Sequence, residues 1–402
     1  SVDFDLNKKQ MADTMHSVMS LFDSIDGLTD YLANHLIDIA ESIHENNSVK
    51  MGFEKNPFAD NTLYDFKNYP ANLYLEAGEI APNRAAFGNF GSWINSYCKE
   101  IYGRPVALVC SADLAGSTNI AGFSKGWNNS RGFGVYHRED NPGGTLLPQG
   151  ITEFANAGLM TGISTVNFSN DPYKEFNGYY GAMSTYGSFS YLKYGPIRLF
   201  SQIAQDSDLK VGKLIWVAGH SGPETAEDSR THFGIFAPGV TQLFPDGHII
   251  NLHPWEHNEV APALAAAMST DVPIVALHLT RPPITIPDRK VLGMASHKEA
   301  SKGAYIIKDY DKNRPLEGVV IVRGTSSTNS LVSILPKIIK EGPNIKIVAA
   351  ISWGLFMAQN KEYRETIISE NEWMDAMIIT VSYTHLRAHE TDSYLVCRLL
   401  LE

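Results

Sequence analysis

After Pro82 the chain is built from short runs of β-branched or apolar residues, each bounded by glycine or proline and separated by longer stretches that suit a helix. No other feature restricts the fold as tightly. Strands that run in the same direction must be joined by crossovers long enough to return over the sheet, so this alternation specifies an α/β domain with a mainly parallel sheet. Residues 106–110, 214–218, 249–252 and 273–279 are the expected strands, and the expected helices include 196–205 and 260–268. In such sheets ligands lie beyond the carboxyl ends of the strands. A second alternation starts near Gly303, with strands expected at 304–308, 319–322 and 345–350 and a helix at 330–341. It reads as a second, incomplete α/β domain that needs more chain to finish its sheet.

Upstream the pattern differs. Met11, Met15, Val18 and Phe22, then Leu32, Leu36, Ile39 and Ile43, recur at helical steps with a break near Asp26 and Gly27, so two amphipathic helices are expected. Residues 50–82 are rich in Asn, Pro, Asp and aromatics without a period and read as an irregular connection. The resulting division is a helical segment and linker over 1–81, a first α/β domain over 82–300, a second over 301–380, and a tail over 381–402. The tail, with its string S-Y-T-H-L-R-A-H-E-T, resembles translated adapter read-through and is expected to be non-native, an ordinary C-terminal helix being the alternative. His385, Arg387, His389 and Cys397 are therefore set aside.

With 402 residues, 44% of them apolar and 19% charged, the chain has material for two to three globular domains and is neither disordered nor fibrous. Its 33 basic against 44 acidic residues leave a net charge of −11, which argues against nucleic acid or an anionic membrane as partner. Any phosphate must meet locally placed cations. Cys98, Cys110 and Cys397 show no C-x-x-C spacing, which fits a reducing, cytoplasmic setting, and no stretch is long and apolar enough for a membrane span.

Four segments in order each end a strand-like run with polar residues. The first carries Asp113 and Ser117 after the strand at 106–110. The second places Glu153 at the start of a helical pattern, the third sets Tyr186 and Phe189 three apart, and the fourth puts His220, Asp228 and His232 in a glycine-containing loop after the strand at 214–218. Singly, each has an ordinary structural explanation: a carboxylate at a helix start complements the macrodipole, spaced aromatics fill cores, and loop histidines cap or are solvated.

Their joint order resembles transketolase, a thiamine-diphosphate enzyme family. The family pattern G-S-A-D-L-x-x-S-N reads here as Cys110 through Asn119, G-I-R-E-H reads as Gly150, Ile151, Thr152, Glu153 and Phe154, and T-F-x-x-F aligns with Thr185, Tyr186 and Phe189. The family's H-D-S-x-x-x-G-E-D-G-P-T-H aligns at equal length with His220 through His232, keeping Glu227, Asp228, Thr231 and His232 but replacing Gly-Pro with Ser229 and Arg230. Coverage runs from about residue 82 to 380, with an insertion between Glu153 and Tyr186.

The resemblance implies a transketolase-like pyrimidine-binding domain and roles for particular residues. Glu153 would bond the pyrimidine ring nitrogen and promote the tautomer whose exocyclic nitrogen serves as base. Phe189 would be the stacking platform, with Tyr186 and Asp113 also on the cofactor. His232 and His220 would move protons on the sugar, and Asp228 would accept from a sugar hydroxyl. Arg84, Arg281, Ser117 and His220 would bind the substrate phosphate. Imidazoles suit proton transfer near neutrality, and guanidinium forks suit phosphate oxygens.

The diphosphate and Mg²⁺ half of such a site normally comes from a domain with a G-D-G motif, and no G-D-G occurs in this chain. That domain is expected on a second polypeptide or a missing part of this one, and the intact protein is expected as a homodimer. The implied reaction is transfer of a two-carbon ketol unit between sugar phosphates in the pentose phosphate pathway, with no turnover by this chain alone. Alternatives are another thiamine-diphosphate enzyme, 1-deoxyxylulose-5-phosphate synthase-like or 2-oxo-acid dehydrogenase β-chain-like, or a catalytically silent subunit.

Overall fold

A computed structural model describes residues 4–46, 55–126, 132–219 and 236–380. The chain divides into two compact units, the boundary falling at residues 54 and 55. In the first, helices α1 (Phe4–Ser24) and α2 (Leu28–Asn46) meet at the expected break. Met11, Met15 and Leu36 of the periodic stripes are exposed.

The second unit opens with four short 3₁₀ turns, three of them started by Asn56, Asp60 and Asp65, whose side chains accept backbone N–H groups. This stretch is irregular as expected, yet Leu63, Tyr69 and Leu73 from it are buried in the main core. It is a packed strap, and it carries the chain to β1 (Ile80–Ala81) and the long helix α3 (Asn83–Tyr102).

There follow β2 (Ala107–Ser111), β3 (Leu146–Leu147), α4 (Glu153–Thr165), β4 (Tyr180–Thr185), α5 (Tyr194–Asp206), β5 (Leu214–Ala218), α6 (Phe236–Thr241), β6 (Ile249–Leu252), α7 (His257–Met268) and β7 (Ile274–His278). Strands β2 to β7 form one sheet in the order β3-β2-β4-β5-β7-β6, every pair parallel. Strands β4, β5 and β7 are buried along their whole length, as a sheet covered on both faces requires. The central strand β4, Tyr-Gly-Ala-Met-Ser-Thr, is not among the expected strands: its small residues carry little β propensity, and only helix α4 and the neighbouring strands make it one.

Strand β8 (Ile284–Thr285) pairs antiparallel with β1. The second alternation yields β9 (Ala304–Lys308), β10 (Gly318–Arg323), α8 (Thr325–Ser333), α9 (Leu335–Glu341), β11 (Ile345–Ala350), α10 (Trp353–Met357), α11 (Lys361–Ile367), α12 (Glu370–Met374) and β12 (Met377–Thr380). Its sheet runs β12-β10-β11-β9, with β9 antiparallel to β11. The helix expected at 330–341 is broken at Ile334, because Pro336 lacks an N–H and its ring disfavours helical geometry before it. No helix among the described residues is long and apolar enough to cross a membrane.

Candidate active site

The carboxyl ends of β2, β4 and β5 converge on a buried ladder of hydroxyls. Ser111 donates to the Ser184 carbonyl at 3.1 Å, Ser184 to Ser111 at 2.9 Å, and Thr118 lies 2.7 Å from Ser184 Oγ. Past the end of β5, Gly219 N–H donates to the Thr185 carbonyl at 2.8 Å, and a Cβ on Gly219 would lie 2.6 Å from Thr118 Cγ2. Only a glycine lets the backbone approach this closely.

Glu153 is the first residue of α4 and is 6% exposed. Its place on the first turn sets the carboxyl where the helix dipole favours negative charge. Thr185, the last residue of β4, donates its hydroxyl to Glu153 Oε1 at 3.1 Å. Tyr186 follows directly and starts the 3₁₀ turn Gly187–Lys193; its Oη donates to Ser117 Oγ at 3.2 Å, and its carbonyl accepts Phe189 N–H at 3.0 Å. Phe189 and Tyr186 are half-buried, so each keeps part of its side chain accessible. The structure thus brings Glu153, Tyr186, Phe189 and Ser117 together around the end of β4. Asp113 is exposed, in the turn after β2 with φ of 66°.

Two of the expected phosphate ligands are brought to one edge by their neighbours. Asn83 accepts from Thr280 N–H at 2.8 Å and donates to the Pro254 carbonyl at 2.8 Å. Arg84, the next residue, is half-buried on the first turn of α3, and Arg281, the residue after Thr280, is exposed. His220, Asp228 and His232 lie outside the described residues. Among the described residues no group of three His, Cys, Asp or Glu side chains is placed to hold a metal ion.

One residue of this neighbourhood carries no motif. Lys193 closes the turn that holds Phe189 and is fully buried, with burial pulling its ammonium down to about 8. The signal available in the sequence was a lone lysine in an aromatic, apolar stretch, Tyr191-Leu192-Lys193-Tyr194.

Residues 91–285 match the family described as transketolase, pyrimidine binding domain. Over this region the chain is transketolase-like. Transketolase 7 of Craterostigma plantagineum is 27% identical over 268 residues, 66% of this chain and 34% of that protein. The transketolase of Geobacillus stearothermophilus is 26% identical over 294 residues, 73% of this chain and 38% of that protein. Among solved structures, the transketolase of Campylobacter jejuni superposes with a TM-score of 0.56 at 19% identity, covering 81% of this chain and 43% of that one. A mutant Pichia stipitis transketolase complexed with fructose-6-phosphate gives 0.58 at 19%, covering 78% and 42%. These superpositions establish the α/β transketolase-like fold with its second domain. The transketolase-like chain spans a little over a third of the length of these curated relatives.

Proposed function

We propose that this chain provides the aminopyrimidine-binding half of a thiamine-diphosphate site that transfers a two-carbon ketol unit from a ketose phosphate to an aldose phosphate. The observation that carries this reading is the buried Glu153 carboxyl, held through Oε1 by Thr185, the residue that immediately precedes Tyr186 and the 3₁₀ turn carrying Phe189. Thiamine diphosphate, when bound, supplies the carbanion chemistry. The donor set here suits its pyrimidine end: a buried carboxyl for a ring nitrogen and a half-exposed phenyl face for a flat heterocycle, stacking contributing about 0.5 to 1.5 kcal/mol. Glu153 holds the proton at that nitrogen, and Phe189 and Tyr186 set the plane of the ring.

The sugar side of the site rests on the sequence match. His232 and His220 are assigned to proton transfer, Asp228 to a sugar hydroxyl, Arg84, Arg281 and Ser117 to the substrate phosphate, and Asp113 to the cofactor. The diphosphate and Mg²⁺ belong to a diphosphate-binding domain that pairs with this region, in a homodimeric cytoplasmic protein. Other thiamine-diphosphate chemistries and a silent subunit remain the competing readings.

The test supplies a diphosphate-binding domain in trans with thiamine diphosphate and Mg²⁺ and follows glyceraldehyde-3-phosphate release from xylulose-5-phosphate. Turnover should appear and fall by about 10²-fold or more in Glu153→Gln, the size of a lost acid–base group. Decarboxylation of pyruvate in its place would select another branch of thiamine enzymes, and silence with every ketose would select the catalytically silent subunit.

A further inference from the structure

Three side chains from distant segments share one buried hydrogen-bond cluster: Asn83, the first residue of α3, Thr280, just past β7, and Thr325, the first residue of α8 in the second α/β domain. They are 1%, 6% and 4% exposed. Thr325 Oγ1 accepts from the Thr280 hydroxyl at 2.9 Å and from Asn83 Nδ2 at 3.3 Å. Asn83 Nδ2 also donates to the Pro254 carbonyl at 2.8 Å, and Asn83 Oδ1 accepts the Thr280 N–H at 2.8 Å. Sealed from water, these groups must find their partners inside the protein, so the cluster fixes how the start of α3 lies against the end of β7. The residues that follow Asn83 and Thr280 are Arg84 and Arg281. The second domain also grips this corner on either side of Thr325. Arg323 donates to His253 Nε2, and His253 N–H donates to the Ile351 carbonyl at 2.8 Å. Between Arg323 and Thr325, Gly324 turns the chain with φ of 90°, a conformation that glycine adopts without strain.

We infer that Thr325 is a positioning residue for substrate phosphate: its hydroxyl clamps together the two backbones that carry Arg84 and Arg281, so that the second α/β domain shapes recognition of the phosphorylated end of the sugar without touching it. Guanidinium forks meet phosphate oxygens over a narrow range of positions, and a small shift of either backbone costs affinity. Removing the Thr325 hydroxyl would leave one Asn83 N–H buried without its acceptor, which loosens the amide that holds Thr280. The role rests on the reading that Arg84 and Arg281 bind substrate phosphate. The clamp itself is independent of that reading.

The experiment compares Thr325→Val, which keeps the shape and loses the hydroxyl, with Thr325→Ser, which keeps the hydroxyl, in the whole chain. Amide hydrogen exchange reads the clamp: Thr280 N–H should exchange about threefold faster or more in Thr325→Val, the size of one buried hydrogen bond, and return to the parent rate in Thr325→Ser. Ala107 N–H, which donates to Asn95 of the same helix α3 at 2.9 Å, is the reference and should keep its parent rate. Kinetics read the role. With the diphosphate-binding domain in trans, Thr325→Val should raise KM for xylulose-5-phosphate by about three- to tenfold at nearly constant kcat, and leave KM for the unphosphorylated ketose erythrulose in place. General loss of stability would not separate the two ketoses. Should no ketose turn over, calorimetric titration of the chain with inorganic phosphate replaces KM, with the same expectation for each variant. Parent-rate exchange at Thr280, equal acceleration at Thr280 and Ala107, or equal KM changes for both ketoses would each overturn the inference. Arg281→Met tests the reading beneath it, because it removes a phosphate ligand and leaves the hydroxyl cluster whole. No weakening there would remove the phosphate reading and the positioning role with it. Weakening in Arg281→Met with none in Thr325→Val would keep that reading and overturn the inference alone.

Discussion

At the scale of single residues, the molecule places charge where packing alone would not. Moving the Lys193 pKa from 10.5 to about 8 corresponds to a cost on the order of 3 kcal/mol. The sign follows from proton counts. Below pH 8 the amine is protonated in both folded and unfolded chains and the full cost applies. Between 8 and 10.5 the unfolded chain holds a proton that the native one has released, so this site's contribution to stability improves as pH rises. Lys193→Met, which fills the same space with an apolar side chain, should therefore raise the urea midpoint at pH 7, and its advantage over the parent should shrink towards pH 10.5. Chemical denaturation at pH 7, 9 and 10.5 measures this. Glu153 was legible in the sequence because its neighbours form a motif. Lys193 was not, because its burial comes from the packing of α4 and α6 against the turn that carries it.

At the scale of elements, close contact between backbones decides what the local pattern leaves open. Helix α3 lies against the 3₁₀ turn Ile120–Ser124 so tightly that a Cβ on Gly91 would sit 2.1 Å from the Phe123 ring. Phe123 is 1% exposed and has no space to withdraw. Gly91→Ala should destabilise the chain by about 1 to 3 kcal/mol despite alanine's better helix propensity, the size of an overpacked core, and a lower thermal midpoint would record it. The sequence reading placed strands at 214–218, 249–252, 304–308 and 345–350, where the structure has β5, β6, β9 and β11. These runs are rich in β-branched and large apolar residues and so carry their own signal. It missed β4 and β12 among the longer strands, and the two-residue strands β1, β3 and β8. For β4, whose glycine, alanine and serine are small, the signal lies in the neighbours that cover it. The broken α8 and α9 pair was also missed, although Pro336 stood in the text.

At the scale of the whole α/β unit, a buried ionic knot joins the first sheet's last helix to the second sheet. Arg289 donates through Nε to Glu256 at 3.0 Å, pairs with Glu259 at 3.2 Å, and donates to the Tyr305 hydroxyl at 3.1 Å. Tyr305 on β9 in turn donates to Glu259. Both carboxylates are fully buried, and burial lifts Glu259 to about 7 and raises Glu256 even with the arginine present. Arg289→Leu would leave two buried carboxyls uncompensated, with a loss of about 3 to 5 kcal/mol expected. The loss should be smaller at pH 5 than at pH 8, since protonating the carboxyls removes the buried charge. Urea midpoints at the two pH values decide it, and an equal loss at both would count against a charge-based explanation.

The sequence by itself determined the alternation of strands and helices, hence the fold class, and the ordered motifs that put a carboxylate at a helix start ahead of an aromatic pair. Those are local properties: periodicity, breakers and spacing are carried by adjacent residues. Tertiary structure alone decided the strand order β3-β2-β4-β5-β7-β6, the conversion of 55–81 into a packed strap, the sealing of Lys193, and the meeting of Arg289 with Glu256 and Glu259. Each depends on segments far apart in the chain burying one another, and burial sets the cost of a charge.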